Sequence, residues 1–296
     1  MLDIKLDTFL VLCETRNYTK TAAFLNITQP AVTQHIKSLE KHYQTKLICY
    51  DEKRQLQLTK QGELLRDFSQ TVKADSARIR TLLKTQTETE EIRLGAISSI
   101  GERFAPHFIA NFLQKYPDKK ISMFLGEADN LLMQLQEGTL HFCISDNYCP
   151  PNQFESEVLF ESETVCICSP KHPLAGQNVS FKQLNPYRLI YQGSHSFSYQ
   201  NLLQILHKYN QEPDNFSSYM EAGSINAVKE LVTQDVGIAF LYHYAVEEDL
   251  KQGRLKQISI HRFSSPCTFS FTWSKNSYFE KQSRQFLDVC RSVLHS

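Results

Sequence analysis

One stretch near the amino terminus, residues 27–43, constrains the fold of this chain more than any other. Its apolar side chains Val32, Ile36, Leu39 and Tyr43 recur every three or four residues, a spacing that places them on one face of a helix. The side chains between them are mostly polar or small, so the opposite face need not be buried. A helix with these two faces is suited to pack on its own domain and to contact a partner at the same time.

Local signals define where this helix begins. The Thr28 hydroxyl can accept a hydrogen bond from the first free backbone N–H groups, and Pro30, which has no N–H, fits the first turn. The helix is therefore predicted to start near Gln29. A shorter helix, predicted to be capped by Thr19, ends just before a turn at residues 26–28, so the two helices are predicted to form a helix-turn-helix.

In a helix-turn-helix, the second helix lies in the major groove of DNA and its first turns meet the base edges. Gln29, Thr33 and Gln34 are the predicted readers, because glutamine pairs bidentately with adenine and threonine bonds to a base or touches a thymine methyl. Lys37 is a predicted phosphate contact. Short amphipathic helix pairs also occur in ordinary protein cores, so this pattern alone leaves both interpretations open.

The residues around this motif give a more specific indication of the class of protein. The string TAAxLxxTQPAVTQHIKSLEKxxxxKLI, followed by LTKQGELL, resembles the DNA-binding domain of LysR-type transcriptional regulators. The resemblance extends over nearly all of the chain but is dense only in residues 1–65. In that family the start of the recognition helix, preceded here by Thr28, is formed by the residues that match Gln29, Pro30, Ala31, Thr33 and Gln34.

Two short stretches after the predicted recognition helix, 46–48 and 55–58, alternate like the strands of a wing. The loop between them carries Lys53 and Arg54, which are candidate phosphate contacts. The family usually has an arginine soon after the first strand, where this chain has Tyr50 followed by two acidic residues. The wing is therefore a departure from the family pattern.

The charge distribution agrees with a nucleic-acid partner only when the chain is divided. The whole chain has 32 Lys+Arg and 32 Asp+Glu, a formal net charge of zero. Residues 1–84 have 14 Lys+Arg against 9 Asp+Glu, a net charge of +5. The remainder of the chain has 18 against 23, a net charge of −5. The positive charge lies where phosphate contacts are needed.

Residues 59–91 are predicted to form a long linker helix that ends in a hinge at 87–91. The apolar residues of this helix follow a heptad spacing, with Asp75 at one core position. The predicted seam consists of Leu65, Phe68, Val72, Ile79 and Leu82. The family resemblance implies that this helix pairs two subunits, although a helix packed on its own domain would show a similar seam.

From residue 92 onwards the sequence alternates between strand and helix patterns, which predicts parallel sheets covered by helices. The predicted strands are 92–97, 120–125, 141–145, 163–169, 187–191, 236–241 and 267–273. The predicted helices are 104–116, 131–136, 199–209, 225–233 and 279–294.

These patterns predict an α/β protein with a helix-rich winged helix-turn-helix at residues 1–58, the linker helix, and an effector-binding domain at 92–296. The resemblance implies that the last domain has two lobes, similar to periplasmic solute-binding proteins. Lobe I is expected at 92–162 and 267–296, and lobe II at 163–266. Because the chain then crosses between the lobes twice, we expect a cleft that closes like a hinge.

Four turns at the ends of predicted strands are candidates for binding the effector, because ligands of open α/β sheets gather there and helix N-termini attract anions. They contain Ser98 and Ser99; Gly126, Glu127 and Ala128; Gln192, Ser194, His195 and Ser196; and Ser224. We expect a small organic anion, such as a carboxylate metabolite or an amino-acid derivative, between Ser98, Ser99 and the turn at 192–196. Plain helix capping competes for Ser224, and simple solvation competes for His195.

Eight cysteines introduce two rival interpretations. They are scattered through apolar segments without a CxxC motif, which indicates packed, reduced thiols. A redox sensor is the alternative regulator, but Cys166 and Cys168 alternate on a predicted strand, and the region where peroxide-sensing family members have a cysteine pair, 194–209, has none. Together with His172 these two cysteines lack the spacing of zinc ligands, so no metal or cofactor is expected.

An enzyme or a transport solute-binding protein is the alternative from another class. The sequence has no GxSxG, phosphate loop, dinucleotide fingerprint or HExxH motif, so no catalytic residue is predicted. It has neither a recognisable secretory leader nor an apolar run of membrane-spanning length, so we expect a cytoplasmic protein. The expected partners are double-stranded DNA, the small-molecule effector and further copies of the chain, as dimers or tetramers; RNA polymerase is a candidate.

Overall fold

The computed structural model describes residues 3–84, 91–146, 149–193 and 197–295, of which 197 and 198 are described by their backbone alone. Its amino-terminal part consists of three short helices, a two-stranded hairpin and one long helix. These elements are α1 (Ile4–Thr15), α2 (Tyr18–Leu25), α3 (Gln29–Tyr43), β1 (Ile48–Tyr50), β2 (Leu56–Leu58) and α4 (Lys60–Lys84).

The start of α3 is as predicted, whereas the start of α2 is not. The Thr28 hydroxyl accepts a hydrogen bond from the backbone N–H of Ala31 at 3.3 Å, and α3 begins at the next residue. The prediction that Thr19 caps α2 is wrong, because Asn17 is the N-cap and its side chain accepts from the N–H of Lys20 at 2.9 Å. Asparagine is an equally good cap, and its use starts the helix earlier.

The inner face of α3 packs into a small core that α1, the hairpin and the beginning of α4 complete. Val32, Ile36 and Leu39 are buried there, as predicted. Tyr43, the fourth residue of the predicted face, is 43% exposed in the last turn of α3. The core residues contributed by α1, α3, the hairpin region and α4 are Phe9, Leu12, Ile36, Leu39, Leu47, Leu56 and Leu65.

The hairpin is antiparallel, but β1 lies two residues later than predicted. The Glu40 carboxylate accepts the backbone N–H of Leu47 at 3.1 Å and pairs with the ammonium of Lys46 at 2.7 Å. These contacts hold the predicted strand start against α3, so pairing begins with Ile48 opposite Leu58. Strand β1 therefore comprises Ile48–Tyr50 rather than residues 46–48.

The remainder of the chain is an α/β domain with a single sheet path. Its strands are β3 (Glu91–Ala96), β4 (Lys120–Leu125), β5 (Phe142–Ser145), β6 (Phe154–Cys168), β7 (Asn178–Val179), β8 (Arg188–Tyr191), β9 (Ser218–Glu221), β10 (Ile238–Tyr242), β11 (Lys256–Ile260) and β12 (Pro266–Ser274). Its α-helices are α5 (Ser98–Arg103), α6 (Ala105–Lys115), α7 (Ala128–Gln136), α8 (Phe197–Lys208), α9 (Ile225–Thr233), α10 (His243–Lys251) and α11 (Glu280–Leu294). Two 3-10 turns lie at Phe181–Leu184 and Pro213–Asn215.

The strand order is β4-β3-β5-β12-β6-β10-β8-β9, and β11 pairs with β6 and β7. We use lobe I for the half built on β3, β4, β5 and β12, and lobe II for the half built on β8 to β11. Each lobe has three parallel strands, as predicted. The prediction of wholly parallel sheets is wrong, however, because β6 runs antiparallel to both β12 and β10. The long strand β6 thus belongs to both lobes and joins them.

Helix α4 connects the amino-terminal domain to lobe I and is held against it by polar contacts. The Asp75 carboxylate accepts hydrogen bonds from the Ser277 hydroxyl at 2.7 Å and from the backbone N–H of Tyr278 at 2.8 Å. The Arg78 guanidinium lies 3.6 Å from the centre of the Phe279 ring. Asp75 of the predicted seam thus binds lobe I of its own chain.

The exposed apolar side chains of α4 lie on the same side of the helix as the predicted seam and share Phe68 and Ile79 with it. Leu65 of that seam is buried in the amino-terminal core. The exposed stripe consists of Leu64 (72% exposed), Phe68 (60%), Ile79 (38%) and Leu83 (79%). The predicted hinge also needs correction, because Glu91 begins β3, while residues 87–90 lie outside the described residues.

Gly62 is the position at which α4 approaches the hairpin most closely. A Cβ atom there would lie 2.2 Å from the carbonyl oxygen of Leu47. We therefore expect Gly62→Ala to lower the free energy of unfolding of the amino-terminal domain by about 1–3 kcal/mol, because the backbone must shift. Chemical denaturation measures this loss. Gln61→Ala, an exposed position on the same turn, is the control, and equal stability of the two variants would contradict the close approach.

Candidate nucleic-acid interface and effector cleft

The outer face of α3 is a continuous polar surface. Gln34 and Lys37 are exposed, Thr33 is half-buried, and the first turn of the helix is open to solvent. This surface includes the sequence-predicted residues of the recognition helix, which are Thr28, Gln29, Pro30, Ala31, Thr33, Gln34 and Lys37. The helix thus buries one face in its own domain and leaves the predicted reading face accessible.

Two of the predicted readers are joined to each other. The Gln29 amide nitrogen donates to the Thr33 hydroxyl oxygen at 3.0 Å, and that hydroxyl donates to the Gln29 carbonyl oxygen at 3.2 Å. The Thr8 hydroxyl and the His35 ring lie 2.9 Å apart and hold α3 on α1. The reading surface is therefore oriented before it meets a partner, which reduces the entropy lost on binding.

The tip of the hairpin is held by Asp51, the first of the two acidic residues that follow Tyr50. One oxygen of Asp51 accepts hydrogen bonds from the backbone N–H groups of Lys53 at 2.9 Å and Gln55 at 2.7 Å. Arg54 adopts a left-handed backbone conformation with φ of 57°. Lys53 and Arg54 remain exposed, so two cations lie at a structured tip.

The two effector turns predicted in lobe I lie side by side. Ser98 and Ser99 begin α5 directly after β3, and Ser99 is buried. Glu127 is the N-cap position of α7, after β4, and the preceding Gly126 donates its N–H to the carbonyl oxygen of Ala96 at 3.1 Å. Ala128, the first residue of α7, is buried. Because β3 and β4 are adjacent parallel strands, both turns lie at the same edge of the sheet.

The lobe II turns are brought together as well. Gly223, beside Ser224, donates its N–H to the carbonyl oxygen of Gln192 at 2.6 Å. The Ser224 hydroxyl accepts the N–H of Ala227 at 3.2 Å, so the helix-cap interpretation is correct for that side chain. The remaining residues of the predicted 192–196 turn, Ser194, His195 and Ser196, lie outside the described residues.

Side chains from the two lobes meet at the mouth of the cleft. The Glu102 carboxylate of lobe I accepts a hydrogen bond from the Asn226 amide of lobe II at 2.5 Å. Arg103, the next residue, pairs with Glu247 of α10 at 3.5 Å. Both pairs are accessible to solvent and therefore weak, so they can separate when the cleft opens.

Asp146 is a cleft residue that the sequence predictions missed. It follows β5 at the edge where β3 and β4 also end, and one of its oxygens accepts a hydrogen bond from the Tyr242 hydroxyl of lobe II. Burial raises the pKa of the Asp146 carboxyl and the charge of Glu127 raises it further, while the bonds from Tyr242 and from its own backbone lower it. The strand-end rule that selected Ser98 and Glu127 applies to Asp146 equally and was the available signal.

Tyr244 lies beside this carboxylate. Its side chain is 5% exposed, and its ring stacks on Tyr242 with a separation of 5.7 Å between the ring centres. Burial raises the pKa of its hydroxyl, whereas the neighbouring Ser99 lowers it. The Tyr244 hydroxyl nevertheless has no hydrogen bond of normal geometry among the described residues. Asp146, Tyr242, Tyr244 and Ser99 thus form a buried polar cluster between the lobes.

The thiols are mostly packed in a way that suppresses their reactivity. Burial raises the pKa of Cys13 and Cys168 to about 12 and that of Cys267 to about 11. Cys166 is fully buried and its pKa is raised as well. Thiols of this kind carry little thiolate at neutral pH and react slowly with peroxide.

In residues 3–84, 91–146, 149–193 and 197–295, no group of three or more His, Cys, Asp and Glu side chains is arranged to hold a metal ion. Within the same ranges, no helix has the length and hydropathy needed to cross a membrane.

Two family profiles match this chain. Residues 5–63 match the bacterial regulatory helix-turn-helix protein profile of the lysR family, and residues 85–295 match the LysR substrate binding domain. The chain is 26% identical over 295 residues to the HTH-type transcriptional regulator CysL of Bacillus subtilis, which covers 98% of this chain and 97% of CysL. Both halves of the molecule therefore match one family in its usual order.

Two solved structures have the same fold. A mutant of OxyR from Corynebacterium glutamicum superposes with a TM-score of 0.59 at 18% identity, covering 99% of this chain and 91% of OxyR. The CcmR regulatory domain of Synechocystis PCC6803, solved in complex with 2-PG, superposes with a TM-score of 0.61 at 20% identity, covering 70% of this chain and 97% of that domain. At these identities the likeness establishes the fold.

The buried Asp146 carboxylate should make stability depend on pH. The pKa of Asp146 is higher in the folded chain than in the unfolded one, so ionisation of this carboxyl opposes folding. The free energy of unfolding therefore falls as the pH rises from the pKa of the unfolded state to that of the folded state. We expect Asp146→Asn to unfold at a higher temperature than the wild type at neutral pH, with the difference shrinking as the pH is lowered. Thermal melts across pH test this; a difference independent of pH would contradict the assigned burial.

Proposed function

The chain belongs to the LysR family of regulatory helix-turn-helix proteins, and from this premise we propose that α3 reads base pairs while the cleft between the lobes binds the effector. As a LysR-type transcriptional regulator, the chain combines a DNA-binding domain with an effector-binding domain. The observation that carries the proposal is the two-sided burial of α3. Its apolar face is fixed in the domain core, and its Gln29, Thr33 and Gln34 face is left accessible.

The division between specific and non-specific DNA contacts follows from side-chain chemistry. Gln29, Thr33 and Gln34 offer hydrogen-bond groups that match base edges, whereas Lys37 at the next turn offers only a charge. Lys53 and Arg54 at the hairpin tip are proposed to contact phosphates of the same duplex. Positive charge in residues 1–84 supports this assignment.

The variants Thr33→Ala and Lys37→Ala should separate these roles. Removing the Thr33 hydroxyl also frees the Gln29 amide, so we expect altered base preference worth about 1–3 kcal/mol at the contacted position. Removing Lys37 should weaken binding to all sequences and reduce the salt slope by about one. Gel-shift series over randomised duplexes and several salt concentrations measure both quantities. The same profile for the two variants would contradict the assigned roles.

The effector is proposed to lie between the Ser98 and Ser99 turn of lobe I and the Gln192 and Ser224 region of lobe II. Backbone N–H groups at the helix starts and serine hydroxyls favour a small organic molecule with an anionic group, such as a carboxylate. Asp146, Tyr242 and Tyr244 form the floor of this proposed site. A molecule held by both lobes favours the closed arrangement, which is the differential affinity that a switch requires.

Two copies of the chain are proposed to pair through α4. The exposed residues Leu64, Phe68, Ile79 and Leu83 lie within about 100° of one another around the helix, so they form one stripe. Beside the stripe is an apolar hollow of about 420 Å³, lined by Tyr43, Thr45, Leu47, Gln61, Leu64, Leu65 and Phe68. A second copy would cover the stripe and fill the hollow, and the pair would present two recognition helices to one duplex.

Phe68→Glu should break this pairing. A carboxylate without a partner at a buried interface costs several kcal/mol, so we expect the dimer dissociation constant to rise at least about a hundredfold. Ala77→Glu introduces the same charge on the exposed opposite face of α4 and is the matched control. Sedimentation velocity over a concentration series distinguishes them. An unchanged constant for Phe68→Glu would place the dimer interface elsewhere.

The contacts between α4 and lobe I supply a route from the cleft to the DNA. Because Asp75 and Arg78 hold α4 on lobe I, a change in the angle between the lobes is transmitted to whatever α4 contacts. We propose that cleft closure alters the spacing of two paired α3 helices. This requires a two-state element that both sites bias, and the lobe angle is the proposed element.

Higher assembly is proposed through the outer strands of the sheet. Strand β4 forms one edge and carries three exposed apolar side chains, Met123, Phe124 and Leu125, and β9 at the other edge carries Tyr219 and Met220. Edge strands of this kind are association surfaces, which supports tetramers. We further propose that the regulator acts in the cytoplasm, where DNA and RNA polymerase are, and that it catalyses no reaction.

A further inference from the structure

The floor of the cleft contains buried polar atoms without partners, which is unusual in a folded protein. The Oδ1 atom of Asp146 and the Ser145 hydroxyl are inaccessible to solvent and have no hydrogen-bond partner among the described residues. The Tyr244 hydroxyl is equally inaccessible, and its contact with Ser99 lies outside normal hydrogen-bond geometry. Ser145 is fully buried, and Tyr244 is 5% exposed. Each unsatisfied group of this kind costs about 1–3 kcal/mol, so a bound molecule that satisfies them would recover that free energy.

The charges around these atoms favour a positively charged molecule. The described carboxylates at the cleft are those of Glu102, Glu127, Asp146 and Glu247, and the described cation there is Arg103, which pairs with Glu247. The Glu102 carboxylate bonds to the neutral amide of Asn226. Among the described residues, the Asp146 carboxylate forms no ion pair with a cation. A cation of the ligand can supply the charge that complements Asp146.

We infer that the effector presents a hydrogen-bond-donating cation, a protonated amine or a guanidinium, to Asp146, in addition to the anionic group proposed above. This inference rests on the proposed function of the cleft as the effector site. The free Oδ1 of Asp146 accepts one N–H of the cation, and the Tyr244 hydroxyl accepts a second. Tyr242 holds the other carboxylate oxygen in place from lobe II, so the ligand binds a carboxylate that both lobes have already positioned.

A ligand with both a positive and a negative group favours the closed arrangement of the lobes. Its cation binds Asp146 of lobe I and the phenol of Tyr244 of lobe II, and its anion binds the helix starts near Ser99 and Ser224. Contacts to both lobes are complete only when the lobes approach each other. A simple carboxylate lacks the contact with Asp146 and would also place a second negative charge beside it, which costs free energy at short distance.

Matched probes test this inference on the full-length chain. The probes are the common amino acids, each compared with the carboxylic acid that lacks its α-amino group and with the amine that lacks its carboxylate. Thermal-shift screening at millimolar concentration is followed by calorimetric titration of each compound that binds. We expect binding among the amino acids, and at least a tenfold loss when the positive group that meets Asp146 is removed.

Variants locate the effect at Asp146. Asp146→Asn keeps the shape and removes the charge, so we expect affinity for the cationic ligand to fall about ten- to a hundredfold. Tyr244→Phe should weaken binding less, because one neutral acceptor is lost. Asp118→Asn, an exposed carboxylate before β4 at the opposite end of the strands, is the control and should bind like the wild type.

Three results would overturn the inference: equal binding of the carboxylic acids that lack the amino group, unchanged affinity in Asp146→Asn, or a panel in which no cationic compound binds. Gel shifts without ligand distinguish failure of the cationic-effector inference from failure of the proposed DNA-binding function. If Asp146→Asn and the wild type both bind DNA while the ligand test fails, the regulator assignment stands and the cationic effector does not. If the wild type binds no duplex, the proposed function itself fails.

Discussion

The burial of three side chains on one face of α3 is the interaction on which the DNA-binding end of this molecule depends. Val32, Ile36 and Leu39 are buried, the last two in a core of few residues, and each large buried side chain contributes roughly 1.5–3 kcal/mol by leaving water. The rotation of α3 about its axis is thereby fixed. Because this packing leaves Gln29 and Gln34 exposed and Thr33 half-buried, it also decides which side chains can reach a base pair.

Helix α4 is likewise fixed by contacts at both of its ends. Gly62 brings the start of α4 against the backbone of Leu47, and Asp75 and Arg78 fix the later turns to lobe I. The recognition helix and lobe I are therefore connected by a rigid helix with defined contacts at both ends. At the cleft, by contrast, the lobes meet through exposed pairs and one buried carboxylate. Burial raises the pKa of the Asp146 carboxyl, and groups with a perturbed pKa are concentrated at functional sites.

Much of this arrangement could be predicted from the sequence where local chemistry decides it. Thr28 and Pro30 define the start of α3, and the apolar pattern gave β4 and α9 with their observed bounds, residues 120–125 and 225–233. Strand β6 was predicted only from residue 163, although it begins at Phe154. Its first part alternates acidic and apolar residues, so it lacks the apolar run of a buried strand, and its pairing with β12 is set by distant residues.

The least predictable features depend on contacts between residues far apart in the chain. Asp146 looks like an ordinary polar residue after a strand, and its burial comes from Tyr242, which lies 96 positions later. Asp75 follows the heptad spacing, but its carboxylate accepts hydrogen bonds from Ser277 and Tyr278, more than two hundred residues away. Where a side chain's partner lies on another lobe or domain, periodicity predicts its face on its own helix but not what that face touches.

The central claim, that the outer face of α3 lies against base pairs, is tested most directly by photo-crosslinking. A crosslinking amino acid placed at Gln34 of the full-length chain is irradiated with genomic DNA fragments that the protein has selected, and the crosslinked nucleotide is mapped. The account predicts crosslinks to bases at fixed positions within the protected sequence, through their major-groove edges. Crosslinks to protein alone, or none above those from the same label at exposed Glu14 on α1, would contradict it.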